Sequence, residues 1–437
     1  MLLSILIPVY NQSHCVDWTL EALTRQTVAT DTFEVVVIDD ASTDDTIAAA
    51  TVYADRLDLR VVRNARNLGR SATRNRAVEE SRSEHLLFLD GDSCAAPTLV
   101  ERHLGFRRER PHDVLLGKRV DVGWWTLRNI GRGESPAYQS FEEDPRDLFR
   151  IEDGALDILD RTPWLFAYTH NLSISRAVFD KVGGFDESFK KWGFEDNDFM
   201  YNIFRSFDRQ SGHFHYDPKA LCYHMPHLRN RSAEWDGSRD AISYLKDKYR
   251  HFDMELMVHP PEQRYHAHVL PYYERCLKYI QAAAGRVKAT TVADVLPAAA
   301  GQRLWIGFDV SGVSRPNGSD HYFDHALPAV GDNHHLFGSF TPFADDSLTA
   351  VVNVDLWSML GPVELSGALM EGLRVAPEIY LARSKRLGDL PGQRIGLLSD
   401  PHYVIDLIAG VSDATVLFQN DDLVIIRCTR RNATVSA

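Results

Sequence analysis

Two runs near the start of the chain, "LLSILIPV" and "FEVVVID", are apolar at nearly every position, whereas "CVDWTLEALTRQ" between them carries its apolar residues three and four apart. Continuous apolar runs suit strands covered on both faces, and the spaced pattern suits a helix laid on a sheet, so the three predict a βαβ unit. The alternation continues with a helix after "STDDT", a strand "LRVVRN", a helix "GRSATRNRAVEES" and a strand "HLLFLD". The expected fold class is α/β, a mostly parallel sheet with helices on both faces and ligands at the carboxyl ends of its strands.

Between residues 110 and 165 the pattern loosens into Gly, Pro and charged stretches such as "GRGESPAYQSFEEDPRD", which predicts a long loop or lid. Helical spacing returns at "SRAVFDKVGGF" and from Asp196 to Phe207, and residues 236–295 read as mostly helical. A second alternating segment follows, from "QRLWIGFDV" to the pair "DATVLFQ" and "DLVIIRC", which Asn420 and Asp421 separate as in a hairpin. The expected domains are a catalytic one over 1–235, a helical connector over 236–298 and a smaller α/β domain over 299–437.

Composition narrows the partners. The 437 residues are 44% hydrophobic and 25% charged, enough for two or three domains with their own cores. A net charge of −13 argues against nucleic acid, and "RHLGFRRERP" reads as a solvated helix face. Five scattered cysteines indicate neither a disulfide framework nor a structural zinc site and suit a reducing compartment. No apolar run approaches the roughly eighteen residues of a membrane helix, and the first strand-length run has no basic flank or cleavage site, so a soluble, cytoplasmic protein is expected.

The chemistry concentrates at strand ends. "FLDGDS" delivers Asp90 and Asp92 to the carboxyl end of a strand, with Gly91 between them, a spacing that lets two carboxylates reach one hard cation. Taken alone the triplet is equally a turn. It occurs, however, in order with "SILIPVYNQ", "VVVIDDASTDDT" and "NLGRSATRNRA", and over residues 1 to about 230 this ordered set resembles the nucleotide-sugar glycosyltransferases of the GT-A fold, in particular the large inverting family 2. The resemblance implies that Pro8, Val9 and Tyr10 wall the nucleobase, that Asp40 accepts the imide N–H of uracil or thymine, and that Arg74 lies over the nucleotide. It implies Mn²⁺ or Mg²⁺ bound by Asp92, with Asp90 on the ion, its water or the ribose.

"VGGFDESFKKWGFEDNDFM" resembles the "GGFD…WGxEDxD" segment of the same enzymes, which implies Asp196 as the base meeting the acceptor hydroxyl, Glu195 as a hydrogen-bonder to the acceptor or the donor sugar, and Trp192 and Gly193 as an acceptor platform. The physical alternative is that Glu195, Asp196 and Asp198 simply occupy the first turn of a helix, where the backbone dipole favours negative charge. In "LCYHMPHLRN" the resemblance implies His227 as a metal ligand, with His224 its nearer competitor, and an imidazole ligand favours manganese. The "QxxRW" segment of membrane-bound processive relatives is missing, which argues against polymerisation across a membrane.

The C-terminal segment resembles the second half of the class I methyltransferase fold. Gly307, Gly312 and Gly318 are too dispersed for that family's cofactor turn, so a truncated, non-catalytic relative is expected. Three roles stay open for it: pairing subunits, holding the acceptor and capping the cleft. The leading expectation is a metal-dependent inverting transferase moving a sugar from a UDP- or dTDP-sugar to a soluble small-molecule, glycan or peptide acceptor. The alternatives are a retaining transferase with the same donor site and a catalytically inactive sugar-nucleotide scaffold.

Overall fold

The computed structural model describes residues 3–123, 144, 162–190, 193–226, 231–258, 269–283, 289–298, 301–313, 320–329, 331, 333–385 and 400–431. The chain divides into two compact units, Met1–Ala241 and Ile242–Ala437, so the helical stretch after residue 241 groups with the second unit.

The first unit is built on an eight-stranded sheet of order β3-β2-β1-β4-β7-β6-β8-β5. Strands β1 (Leu3–Val9), β2 (Phe33–Asp39), β3 (Leu59–Arg63) and β4 (His85–Leu89) are parallel, as the alternation predicts. β1 and β2 are interior strands, which suits apolar runs that can be covered on both faces. One face packs Ile5, Ile7, Val35, Val37, Leu87 and Leu89 against Val16, Leu20 and Leu23 of α1 (Ser13–Leu23). On the other, Phe88 joins Phe179, Phe185 and Phe199, with the Phe185 and Phe199 rings stacked at 4.0 Å between centroids.

Two parts of the sheet depart from the expectation. β5 (Ser93–Ala95) and β7 (Asn171–Ser175) run antiparallel to their neighbours, which makes the sheet mixed. β6 (Val114–Asp121) lies inside the stretch expected to be loop and pairs in parallel with β8 (Phe214–His224). The misreading has a local cause. In "DVLLGKRVDV" a glycine and two cations interrupt the apolar run, and Gly117 is there because a Cβ would strike the Asn171 amide and the Ala220 carbonyl. Residues 124–143 and 145–161 of the expected lid lie outside the described residues.

The second unit carries a six-stranded sheet of order β10-β9-β11-β12-β14-β13, formed by β9 (Arg303–Gly307), β10 (His321–Asp324), β11 (Ala350–Val354), β12 (Glu378–Ser384), β13 (Asp413–Gln419) and β14 (Leu423–Thr429). The first four are parallel, and β14 runs antiparallel to both β12 and β13, forming the expected hairpin with β13. Together the two units make a mixed α/β protein with one large, mostly parallel sheet and one smaller sheet.

Candidate active site

The D-G-D corner forms where β4 ends. Parallel pairing sets Leu6 opposite Phe88, so the next turn of β4 meets the end of β1. A Cβ on Gly91 would fall 2.5 Å from Gln12 Oε1 and 2.7 Å from Val9 Cγ1, so only glycine permits that approach. Asp90 keeps a side chain that is 31% exposed, whereas Asp92 is buried. His224 reaches Asp92 through the ladder. It is the register partner of Ser93 on β5 and of Asp121 on β6, which sets its imidazole between two carboxylates. Nδ1 lies 2.6 Å from Asp121 Oδ1 and Nε2 3.5 Å from Asp92 Oδ2. Burial would lower the pKa of His224, but its contacts with Asp121 and Asp92 outweigh that and hold it above the ordinary value. Of the two candidate histidines, then, it is His224 that stands beside Asp92, and His227 lies outside the described residues.

A carboxylate paired with an imidazole is a donor set suited to a borderline divalent ion such as Mn²⁺. Among the described residues no three acidic, histidine or cysteine side chains converge as a complete metal cage.

The E-D pair opens α7 (Glu195–Ser206), as its position in the sequence predicts. Tandem Gly183 and Gly184 upstream both have positive φ. Gly183 caps α6 (Arg176–Val182), and a Cβ on Gly184 would press within 2.8 Å of Asn75 Oδ1 and Phe179 Cζ. The turn into α7 is sharp, with Gly193 at φ 117° and Phe194, a non-glycine residue, at φ 63°. Phe199 anchors α7 to the aromatic cluster on the sheet, which brings its first turn over the end of β4. Trp192 lies outside the described residues.

Arg74 holds this arrangement from within. Its guanidinium is buried, with Nη1 3.2 Å from Glu195 Oε1 and 3.0 Å from Asp196 Oδ1, and Nη2 3.3 Å from Asp90 Oδ1. It comes from α3 (Arg70–Glu80), one turn after Arg70, whose own guanidinium lies 3.7 Å from Glu195. The two acids respond differently. Burial alone would raise Glu195, but Arg70 and Arg74 overcome it and hold the carboxyl below its usual range. Asp196 is raised to about 6, by burial first and by the neighbouring charges of Glu195 and Asp90, against the opposing pull of Arg74 and Thr169. Its side chain is nevertheless 20% exposed. A reachable carboxylate that titrates near neutrality is suited to taking a proton.

The nucleotide side is braced by the chain itself. Val9 is buried and Tyr10 is half exposed at the end of β1. Asp40 accepts from Asn64 Nδ2 at 2.8 Å, Leu68 N at 2.8 Å and Gly69 N at 2.9 Å, so it pins the loop before α3 and keeps only its remaining lone-pair capacity for a base. Ser42 does not cap the next helix, α2 (Thr46–Thr51), but accepts from Asn11 N at 2.8 Å, while Asp44 holds Thr46. Sequence reasoning missed Asp121 and Thr169. Neither lies in a recognisable motif, and only the register of β6 and the reversed course of β7 bring them to the site.

Residues 4–183 match the family model described as Glycosyl transferase family 2, and residues 166–219 match that of the N-terminal domain of galactosyltransferase. Over residues 4–183 the chain is thus similar to the family 2 glycosyltransferases. Validoxylamine A glucosyltransferase of Streptomyces hygroscopicus subsp. jinggangensis is 34% identical over 225 residues, 46% of this chain and 51% of that protein. A chondroitin synthase of Pasteurella multocida is 27% identical over 322 residues, 67% of this chain and 32% of that protein. The chain thus spans about half or less of the length of these two relatives. Among solved structures, S. aureus TarS 1–349 in complex with UDP aligns with a TM-score of 0.43 at 19% identity, covering 67% of this chain and 75% of that one. No described helix is long and apolar enough to cross a membrane.

Proposed function

We propose that the first unit transfers a sugar from a uridine or thymidine diphosphate sugar to a hydroxyl of a soluble acceptor, with inversion at the anomeric carbon, in a cytoplasmic setting. The observation that carries this reading is Asp196, a carboxylate raised to about 6, one-fifth exposed and fixed beside the D-G-D corner by Arg74. In this reading Asp196 accepts the acceptor's proton as its oxygen attacks, and Glu195, held ionised by Arg70 and Arg74, keeps Arg74 in place. Asp92 and His224, with Asp90 alongside, would hold a divalent ion, which when bound offsets the charge of the departing diphosphate. Pro8, Val9 and Tyr10 offer the base a wall, and Gly193 borders the acceptor side. The glucosyltransferase and chondroitin synthase relatives support a sugar-nucleotide donor.

The second unit supports a separate proposal, that it is a non-catalytic relative of the class I methyltransferase fold. The closing pair of antiparallel strands supports this, as does Asp324 at the end of β10. Its carboxylate accepts from Asp309 N at 3.0 Å, Ser311 N at 2.9 Å, Ser311 Oγ at 2.7 Å and Ala326 N at 3.0 Å, so the chain fills with its own acid the loop a ligand would need.

Asp196→Asn tests the catalytic reading. A thermal-shift screen of UDP- and dTDP-sugars with Mn²⁺ first selects the donor, since a ligand at a hundred times its Kd stabilises by roughly 2.7 kcal/mol. The variant is expected to bind UDP as tightly as the parent by calorimetry while release of UDP from that donor falls by roughly three orders of magnitude. It is also expected to melt no lower than the parent above pH 6, because the asparagine removes a carboxylate whose ionisation burial opposes. If the acids only open a helix, the result reverses: turnover stays near parental and the melting temperature drops by the dipole interaction of roughly 0.3 to 1 kcal/mol. The anomeric configuration of the product separates inversion from retention.

A further inference from the structure

We propose that Thr169 is a positioning residue that fixes Asp196 through two donors and leaves one carboxylate oxygen as the proton acceptor. This rests on the reading of Asp196 as the base. Thr169 is fully buried, between the short helix α5 (Pro163–Phe166) and β7. It reaches the site because β7 runs antiparallel to β4, with Asn171 opposite Leu89, so the chain entering β7 passes the carboxyl end of β4. The same passage lets Asp90 N donate to His170 O at 3.4 Å.

The hydrogen bonds are divided unequally between the two oxygens of Asp196. Oδ1 receives the Thr169 hydroxyl at 2.5 Å and Arg74 Nη1 at 3.0 Å. Among the described residues, Oδ2 receives only the Thr169 backbone N–H, at 3.3 Å. A carboxylate oxygen with two short donors, one of them charged, has little capacity left for a proton. Oδ2, with one long neutral donor, retains it. Arg74 alone would not fix this choice, because a guanidinium meets either oxygen of a carboxylate that is free to turn about its Cβ–Cγ bond. The hydroxyl and N–H of Thr169 come from one rigid residue and grip both oxygens at once, which stops the rotation. The charged groups facing Asp196 are Arg74 of α3, Glu195 of its own helix and Asp90 after β4. Thr169 adds the uncharged contacts that orient the carboxylate among them.

The test is carbon NMR of full-length protein carrying ¹³Cγ-labelled aspartate, with the Asp196 signal assigned by its loss in Asp196→Asn. Thr169→Val keeps shape and removes the hydroxyl, and Thr169→Ser keeps the hydroxyl. Because the hydroxyl bonds the ionised form, Thr169→Val is expected to move the Asp196 midpoint upward by roughly half a unit to one unit. Thr169→Ser is expected to return it to the parental value. UDP release from the selected donor should fall roughly tenfold in Thr169→Val, with the affinity for UDP unchanged, and recover in Thr169→Ser. An Asp196 midpoint that does not move in Thr169→Val, in a protein that melts like the parent, overturns the proposal. A moved midpoint with unchanged turnover leaves Thr169 as the holder of Asp196 and overturns the base reading instead, so the two failures are distinct. If Thr169→Val melts well below the parent, the midpoint comparison passes to Thr169→Ser and Thr169→Ala, and equal midpoints in those two also overturn it.

Discussion

In each unit a carboxylate at the edge of the sheet has a raised pKa, and the two differ in what can reach it. Asp196, over the end of β4, is raised to about 6 and one-fifth exposed. Asp355, just past the end of β11, is raised to about 7, by burial against the opposing pull of the Ser384 N–H and Arg383, yet it is sealed at 1% exposure. Its backbone is also the more unusual, with φ 65° on a non-glycine residue. Desolvation and backbone strain therefore mark both places, and neither identifies a site. The difference lies in the partners. Around Asp196 a shared guanidinium balances three carboxylates, of which Asp90 and Asp196 stay partly exposed, while around Asp355 and Asp324 the chain's own backbone supplies the donors. Raised basicity becomes chemistry only where the fold leaves an approach.

The largest effect that could break this contrast is on turnover. Asp92→Ala is expected to lower Mn²⁺-supported UDP release by roughly a thousandfold, whereas Asp355→Asn should stay within about twofold of the parent. Equal losses from both variants would mean that the second unit takes part in the chemistry. Next in size is stability. Asp324→Ala strips an acceptor from three backbone N–H groups and one hydroxyl and should cost about 2 to 4 kcal/mol in denaturant unfolding, with faster hydrogen exchange at Asp309 and Ser311. A ligand-binding loop that merely lacked its ligand would lose far less.

The smallest effect is on pH, and here the units carry opposite signs. Asp196 rises from 3.8 to about 6 in the fold, so its contribution to stability is present below 3.8 and is lost as pH rises through 6. The same group should give kcat/KM an acid limb near 6, because the protonated acid cannot act as base. In the second unit His325 is pushed down to about 3, by burial and then by neighbouring His335, so it stays neutral in the fold. The unfolded chain takes up that proton below about 6.5, and the unit's stability falls as pH drops from there. Denaturant midpoints at pH 7 and pH 5 should therefore converge in His325→Gln. An unchanged gap would remove His325 as the source.

Much of this was legible from residue order. Continuous apolar runs identified β1, β2 and β4, and a βαβ crossover admits one handedness, so Asp90 and Asp92 at a common edge followed from local pattern. The first turn of α7 was equally local, since carboxylates ahead of Phe199 and Ile203 make a helix start. β6 was not legible, because a strand interrupted by Gly117, Lys118 and Arg119 is stabilised by its neighbours rather than by its own pattern.

What the sequence by itself determined is thus which residues sit at strand ends and helix starts, because periodicity and turn chemistry act over a few residues. Only the tertiary structure decided which of them meet. Arg74 became the buried partner of Glu195, Asp196 and Asp90, since its guanidinium packs over the Phe185 ring of the aromatic cluster that also holds α7. His224 faced Asp92 because two ladders fixed its register opposite Ser93 and Asp121. Thr169 joined Asp196 because β7 reverses direction beside β4. These are long-range pairings, selected by burial over the whole sheet, and nothing in the few residues around any one of them encodes its partner.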